Sequence, residues 1–460
     1  MNILLISTYE LGRQPFGLAS PAAWLRERGH QVSALDLARQ PLDEAAVRGA
    51  GLIAVYLPMH TATRLAAQLI PTLRELNQRA HLCGYGLYAP MNAEYLRSLG
   101  VSTILGGEFE EGLVHLAERL GQVATCNGHG ASTELQPEPL ISLARQKFVT
   151  PERSALPSPA KYAHVIFPAG EHRVGGYTEA SRGCKHLCRH CPIVPVYKGV
   201  FRVVDREVVL ADIRQQLKAG AQHITFGDPD FFNGIGHAMA LVEALHREFP
   251  QLSCDVTIKI EHLLKHKEHL PKLRDTGCLF VTSAVESVDD AVLRRLDKGH
   301  TRADFLEVNR IFRELDLVLQ PTFVPFTPWT TFDGYFDLLR VLRENDLVEN
   351  VAPIQLAIRL LIPAGSRLLE LEEVRHLVGP FDPSALAYSW RNPDPRVDSF
   401  GEEIEAIVAT CEKLKLSRRK IFERIWEAAN EAVGVRADFS AQPPLVSRAA
   451  IPYLNEPWYC

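Results

Sequence analysis

The feature that most constrains this chain is a repeated alternation of short apolar runs with amphipathic helical patterns. Each run is short enough for a strand, and each is followed by a segment with helical periodicity. Strand–helix alternation at this spacing predicts a doubly wound parallel sheet, an α/β fold, for residues 1–125. The runs are NILLIS (2–7), QVSALDL (31–37), LIAVYLP (52–58), AHLCGYG (80–86) and STILGG (102–107).

A second alternation occupies residues 171–375 and predicts a partial (β/α)6 barrel. Its apolar runs are GGYTEAS (175–181), HITFGD (223–228), CDVTIKI (254–260), CLFVTSAV (278–285), LQPTFVPF (319–326) and PIQLAIRLLI (353–362). Residues 126–170, rich in Pro, Ser and Gly, are predicted to link the two domains. Residues 376–460 are predicted to be a helical C-terminal region with a tail that ends on Cys460.

Composition narrows the class of protein. A chain of 460 residues is too long for one core. The net charge of −5 disfavours a nucleic-acid surface, and no apolar run approaches the roughly 18 residues of a membrane span. The nine cysteines are odd in number and mostly scattered, unlike a secreted disulfide framework. With no signal-peptide pattern at the start, we expect a cytoplasmic protein.

Three of the nine cysteines fall within GCKHLCRHCP, residues 183–192. Cys184, Cys188 and Cys191 can place three sulfurs around one centre, and thiolates select iron–sulfur clusters, zinc or copper(I). Structural zinc usually needs four protein ligands, so His186 or His190 would have to supply the fourth. Three thiolates on a cubane instead leave one iron open for a substrate.

This loop, placed after the first strand of a strand–helix domain, resembles that of the radical S-adenosylmethionine (SAM) superfamily. The resemblance implies that the three cysteines hold a [4Fe–4S] cluster, whose open iron binds SAM. It also implies reductive cleavage of SAM with electrons from an external donor such as flavodoxin or ferredoxin. His190, which precedes the third cysteine, would pack against the adenine.

Further cofactor-binding candidates lie at the ends of the predicted strands. By resemblance, Gly227 and Asp228 in FGDPD would contact the SAM amino group, and Glu286 with Ser287 in SAVES would contact the ribose. Lys259 or Glu261 in KIEH is a candidate pocket residue. Arg359 lies within an apolar run, where a charge needs a partner: either a ligand carboxylate or an acid of this chain.

The domain at residues 1–125 resembles the cobalamin-binding domain that precedes some radical SAM domains. No Asp-x-His-x-x-Gly motif is present in this part of the chain, so the resemblance leaves cobalamin open. The tail PYLNEPWYC resembles that of the radical SAM group named for a CUAEP or CCAEP tail. That resemblance makes Cys460 a candidate catalytic thiol; the alternative is an incidental cysteine at a loose end.

The sequence therefore predicts a radical SAM enzyme that modifies a small molecule, with no nucleic-acid or membrane partner. Methylation, radical rearrangement and 3-amino-3-carboxypropyl transfer all remain open. The alternative from another class is a zinc-stabilised binding protein without catalysis.

Overall fold

The computed structural model describes residues 1–125, 136–434 and 447–455. The N-terminal strands are β1 (Asn2–Ser7), β2 (Gln31–Asp36), β3 (Leu52–Tyr56), β4 (His81–Tyr85), β5 (Thr103–Gly107) and β6 (Ile141–Ser142). The helices between them are α1 (Phe16–Glu27), α2 (Glu44–Gly49), α3 (His60–Leu76), α4 (Ala93–Ser98) and α5 (Glu110–Thr125). The sheet is parallel with the order β2-β1-β3-β4-β5-β6, which confirms the predicted doubly wound fold.

The strands of this sheet are apolar throughout because helices cover both of its faces. Along β1, Ile3 and Leu5 belong to one buried cluster, whereas Leu4 and Ile6 belong to another. Alternate side chains of a strand point to opposite faces, so the two clusters are the two faces of the sheet. This double burial explains why the runs lack the polar alternation of a half-exposed strand.

The second part of the chain forms a curled sheet. Its strands and the small strand pair beside it are β7 (His164–Ile166), β8 (His172–Thr178), β9 (Ser181–Gly183), β10 (Phe201–Val203), β11 (His223–Phe226), β12 (Ser253–Thr257), β13 (Cys278–Glu286) and β14 (Val318–Phe323). Its helices are α6 (Val194–Tyr197), α7 (Arg206–Lys218), α8 (Ile235–Glu248), α9 (Ile260–Lys265), α10 (Leu270–Asp275), α11 (Asp290–Leu296), α12 (Arg302–Glu314) and α13 (Phe332–Glu344).

The C-terminal region is mainly helical. It contains α14 (Glu372–Leu377), β15 (Val378–Asp382), β16 (Ala387–Trp390), α15 (Pro395–Lys413), α16 (Arg418–Val433) and β17 (Tyr453–Leu454). The curled sheet has the order β14-β13-β12-β11-β8-β7-β17. Its first five strands are parallel, and β7 and β17 add antiparallel pairs at one edge. The half-barrel and the helical region agree with the predicted fold class.

The last predicted run of the barrel, residues 353–362, is not a continuous strand. Pro353–Leu356 form a 3₁₀ turn, and the contact with the sheet is one parallel bridge between Phe326 and Arg359. Proline lacks the N–H that a strand ladder needs, and Pro353 and Pro363 stand at the two ends of this segment. Where the sequence predicted a sixth barrel strand, the described structure therefore has a single β-bridge.

Two buried arginines join the sheets. The Arg182 guanidinium, between β9 and the N-terminal sheet, pairs with Glu110 at 2.6 Å, Glu179 at 2.8 Å and Glu108 at 3.4 Å. Arg153, in the predicted linker, pairs with Asp212 of α7 at 2.6 Å. Because the loop after β5 carries Glu108, the carboxyl edge of the first sheet is held against the start of the cysteine loop.

Among the described residues, no helix combines the length and the apolar character that a bilayer span requires.

We expect Arg182→Met to destabilise the protein by ~3–5 kcal/mol, because it leaves buried carboxylates without their cation. A matched control is Arg28→Met, directly after α1, whose 3.1 Å pair with Glu118 is exposed and should contribute at most ~1 kcal/mol. Urea unfolding of the two variants beside the unsubstituted protein measures both effects. Equal destabilisation by the two substitutions would contradict the role given to Arg182.

Candidate active site

The cysteine loop leaves the barrel at β9 and returns at β10. The two strands pair antiparallel, with Gly183 opposite Phe201 and Ser181 opposite Val203. Gly183 has a φ of 72°, and a Cβ atom there would collide with the Val200 carbonyl and the Tyr197 ring. The residue before Cys184 must therefore be glycine for the loop to turn this tightly.

Backbone contacts fix the middle of the loop. The Arg189 N–H donates to the Leu296 carbonyl at 2.9 Å, and its own carbonyl accepts from Ser366 Oγ at 3.0 Å. The Asn233 side-chain oxygen accepts from the Lys185 N–H at 3.3 Å. These contacts come from α11, from the turn after β11 and from the segment before α14, so the loop conformation is a product of tertiary packing.

The three thiols of the loop lie near one another and form no disulfides. Burial raises the pKa of the Cys184 thiol, and burial with the neighbouring Cys188 raises the pKa of Cys191 to about 12. Buried thiols in this arrangement ionise readily only when a cation replaces their protons. The donor set therefore fits a thiolate-ligated cluster that supplies positive iron.

A buried charged trio stands beside the thiols. Glu286 Oε1 lies 3.0 Å from His190 Nε2 and 3.3 Å from Lys298 Nζ. Burial by itself would raise the pKa of Glu286, but the charges of Lys298 and His190 lower it to about 2. Lys298 also lies close enough to Cys188 and Cys191 for their charges to raise its own pKa. The trio thus keeps an ionised carboxylate at the end of β13.

Glu286 has a φ of 70°, which a non-glycine residue adopts only at a cost. A β-bulge in the pairing of β13 with β14 occurs at this residue, and bulges re-aim side chains next to functional sites. Both contacts of the carboxylate fall on Oε1. Among the described residues, Oε2 takes no hydrogen bond, so it is available to a ligand.

The FGDPD turn supports the entrance to the cysteine loop. A Cβ atom at Gly227 would overlap the Tyr177 ring, so only glycine fits there. The Asp228 carboxylate accepts from the Ala180 N–H at 3.0 Å and from the Ser181 hydroxyl, and burial raises its pKa to about 7. The structure thus places both residues against β8 and β9, while their contact with SAM stays a prediction.

The remaining predicted residues are dispersed. Lys259 is buried with its Nζ 3.3 Å from Glu261 Oε2, and Ser287 Oγ accepts from the Asp289 N–H. Arg359 pairs with Asp398 at 2.7 Å and lies over the Trp390 ring. The chain itself therefore supplies the acid partner, which is one of the two alternatives left open by the sequence. Cys460 lies outside the described residues.

Sequence reasoning missed Lys298 as a site residue. It follows α11 rather than a strand, so the rule that ligands lie at strand ends does not reach it. The adjacent His300 is buried, and burial with the Lys298 and Lys259 charges lowers its pKa to about 4. The signal in the sequence was DKGHT, in which a lysine and a histidine flank Gly299, whose φ is 74°.

A small cavity of about 40 Å³ lies against the curled sheet. Polar side chains from all three parts of the chain line it, including Arg13, Asp255, Gln320, Gln355 and Arg418. A space of this size holds only one or two water molecules. Its charged and amide lining is suited to polar ligand groups.

The carboxyl edge of the first sheet has buried polar atoms that bear on the binding of a corrinoid. Ser7 Oγ, Glu10 Oε2 and Glu108 Oε1 are buried there without hydrogen-bond partners. Unpaired buried acceptors are costly, and the amide side chains around a corrin ring are donors that could satisfy them. The hydrogen-bonding groups at this edge therefore fit a corrinoid.

The space beside these acceptors is occupied by aromatic rings. The Tyr56, Tyr85 and Phe109 rings have centroids 5.1–5.9 Å apart. A Cβ atom at Gly17 would overlap the Tyr56 ring, and the Tyr85 hydroxyl donates to the Gly17 carbonyl at 2.7 Å. A ligand that enters deeply at this edge must displace these rings.

Residues 178–339 match the family model of the Radical SAM superfamily. The match begins at the last residue of β8 and includes the cysteine loop and the trio at Glu286. Together with the half-barrel, this match supports the predicted class: residues 178–339 are similar to the radical SAM enzymes, whose cofactors are a [4Fe–4S] cluster and SAM.

Similar proteins include transferases of several kinds. The chain is 26% identical over 157 residues to a tRNA-2-methylthio-N(6)-dimethylallyladenosine synthase of Chlorobium luteolum, covering 31% of this chain and 33% of that protein. It is 24% identical over 336 residues to the hopanoid C-3 methylase of Methylococcus capsulatus, covering 71% and 64%. The chain thus spans only about a third of the length of the first of these relatives.

Among solved structures, the radical SAM methyltransferase TsrM from Kitasatospora setae superposes with a TM-score of 0.69 at 14% identity, covering 89% of each chain. A second structure of TsrM contains cobalamin and a [4Fe–4S] cluster and superposes with a TM-score of 0.57 at 15% identity, covering 75% of this chain and 70% of that one. At this identity the similarity establishes the fold, which extends through the N-terminal sheet.

The zinc alternative requires a histidine as fourth ligand. His186 faces Asp230 at 3.3 Å, and His190 faces Glu286 at 3.0 Å. One ring nitrogen of each imidazole therefore faces a carboxylate in the described structure. A set of three thiols is what the iron–sulfur interpretation requires.

We expect the combined Cys184→Ala, Cys188→Ala and Cys191→Ala variant to lose the cluster but keep its fold, since the loop is also fixed through Arg189 and Ser366. Iron and acid-labile sulfide after anaerobic reconstitution should fall to background while the circular dichroism spectrum is unchanged. Cys411→Ala, a buried cysteine of α15, is the control and should retain both elements. Global unfolding of the triple variant would instead indicate a structural metal.

Proposed function

We propose that this protein is a radical SAM methyltransferase that acts on a small molecule. The single observation that carries the proposal is the junction at Arg182. This buried residue binds Glu108 and Glu110 of the N-terminal domain and lies two residues before Cys184. The cofactor edge of the first sheet and the cluster loop of the barrel are thereby held against each other.

Two of the similar proteins that match most of the chain support a methyl transfer. The hopanoid C-3 methylase and TsrM are both named for this reaction, and each match covers more than the barrel alone. When bound by Cys184, Cys188 and Cys191, a [4Fe–4S] cluster would supply the electron for cleavage of SAM, and a corrinoid at the edge of the first sheet would supply a carrier for the methyl group. The electron donor would be an external protein such as flavodoxin or ferredoxin.

In this proposal, the residues of the chain bind and orient SAM. Lys298 and His190 keep the Glu286 carboxylate ionised, and its Oε2 accepts hydrogen bonds from the ribose hydroxyls. His190 stands beside the adenine, and Lys298 balances the negative charge of the thiolates. Gly227 packs against the Tyr177 ring, and Asp228 accepts a hydrogen bond from Ser181. Both residues thereby support the strands that lead into the cysteine loop.

A second candidate is 3-amino-3-carboxypropyl transfer, favoured by the aromatic rings at the edge of the first sheet. Tyr56 and Tyr85 pack against Gly17 where a deeply inserted cofactor would need space. A reaction that takes its carbon group directly from SAM needs no corrinoid. The CUAEP/CCAEP-like tail suits this candidate, because a thiol at Cys460 could hold a soft substrate atom.

The SAM-derived product distinguishes the reactions. We expect cluster-loaded protein with reductant, SAM and cobalamin to release S-adenosylhomocysteine, and release should stop when cobalamin is omitted. Mass analysis of the released nucleoside measures this outcome. Methylthioadenosine formed without cobalamin would identify the second candidate instead, and 5′-deoxyadenosine alone would indicate radical rearrangement. Cys191→Ala is the control and should release no nucleoside above background.

We expect Glu286→Gln to weaken SAM binding by about 10- to 100-fold, the loss of hydrogen bonds to a charged group worth about 1.5–3 kcal/mol. Equilibrium dialysis with labelled SAM on cluster-loaded protein measures the affinity. Glu314→Gln on the exposed face of α12 is the matched control. Unchanged affinity in Glu286→Gln, at full iron content, would remove Glu286 from the SAM site.

A further inference from the structure

A second group of ligand-type side chains lies on the other side of the cysteine loop. It consists of His186 from the loop, Asp230 from the turn after β11 and His262 from α9, and we call it the His–Asp–His group. One ligand atom from each residue lies within 4.8 Å of the other two. Asp230 Oδ2 is 2.7 Å from His262 Nδ1 and 3.3 Å from His186 Nε2.

One atom of each residue is buried and has no hydrogen-bond partner within residues 1–125, 136–434 and 447–455. His186 Nε2, Asp230 Oδ2 and His262 Nδ1 each approach a polar atom of the group, but none of the contacts has hydrogen-bond geometry. The Asp230 residue is fully buried, and His262 is 7% exposed. One carboxylate oxygen thus faces two imidazole nitrogens at 2.7 and 3.3 Å, and the three ligand-type atoms converge as they would around a metal ion.

One outer atom of the group is held by a hydrogen bond, and a second faces a carboxylate. Asp230 Oδ1 accepts from the Phe232 N–H, which leaves Oδ2 turned toward the imidazoles. Glu261 Oε2 lies 3.6 Å from His186 Nδ1, on the side of the ring away from Asp230. A carboxylate on the far nitrogen of a metal-binding histidine is the usual outer arrangement, because it orients the ring and directs the near nitrogen to the metal.

We propose that the His–Asp–His group binds one divalent first-row transition-metal ion, distinct from the iron–sulfur cluster. Two imidazoles with one carboxylate suit Fe(II), Mn(II), Co(II) or Zn(II), and they leave coordination positions open. The group contains none of the three cluster cysteines. Its ligands have a harder character than thiolates, so the group can bind an ion such as Mn(II) that the cluster thiolates do not select.

A metal ion bound to the His–Asp–His group would connect separate parts of the fold. His186 lies between Cys184 and Cys188, whereas Asp230 and His262 belong to the barrel wall. A bound ion would therefore join the cysteine loop to two further segments of the barrel. Without it, the imidazoles meet a single carboxylate oxygen and each other, with ring centroids 4.7 Å apart.

Mn(II) is the probe for this site, because it prefers nitrogen and oxygen donors and leaves thiolates to iron. We expect anaerobic, cluster-loaded protein to bind one equivalent of Mn(II), measured as loss of the free-ion paramagnetic resonance signal. Asp230→Asn and His262→Gln should each weaken this binding at least about 10-fold, the lower end for loss of a contact that supports a metal. Cluster iron and sulfide should remain in both variants.

His266→Gln is the matched control. The His266 ring stands 5.8 Å from the His262 ring, but the residue is not part of the His–Asp–His group. Binding retained in His266→Gln and lost in the other two variants supports the proposal. No binding by the unsubstituted protein, or equal binding by all variants, overturns it. If Asp230→Asn does not fold, His262→Gln alone decides, and neither outcome depends on SAM cleavage.

Discussion

The buried guanidinium of Arg182 is the interaction on which the relation between the two sheets depends. It neutralises carboxylates from the loop after β5 and from the turn before β9, and it lies over the rings of Phe16, Phe109 and Phe148. A cation in this position excludes water from the junction and fixes the distance between the domains. The cysteine loop starts immediately after it, so the residues around the three cysteines take their position from the same contact.

Charge balance also determines how the residues around the three cysteines, here called the cluster corner, are arranged. Burial disfavours ionisation of the Cys184 and Cys191 thiols and of Asp228, and the neighbouring Cys188 adds to this effect at Cys191. Lys298 and His190 offset part of the negative charge at this corner, and iron would offset more. The corner is thus arranged around a positive centre, which also explains why its polar residues come from four different strand ends and loops.

Several elements could be predicted closely from the sequence. β1 coincides with NILLIS, and β2 to β5 begin within one residue of the predicted runs, because continuous apolar runs have no alternative to double burial in a parallel sheet. The cysteine loop was recognised from spacing alone, since three thiols in ten residues have few uses. The run at 353–362 was harder, because apolar character predicts burial but not strand pairing, and its prolines favour a 3₁₀ turn.

The sequence by itself determined the alternation, the two sheets and the group of three cysteines, because these follow from local periodicity and residue spacing. Only the tertiary structure decided that Arg359 binds Asp398, that Lys298 joins Glu286, and that His186 meets Asp230 and His262. These pairs bring together residues from 12 to 76 positions apart. Such contacts depend on how the barrel curls, and no local pattern in the chain encodes that curvature.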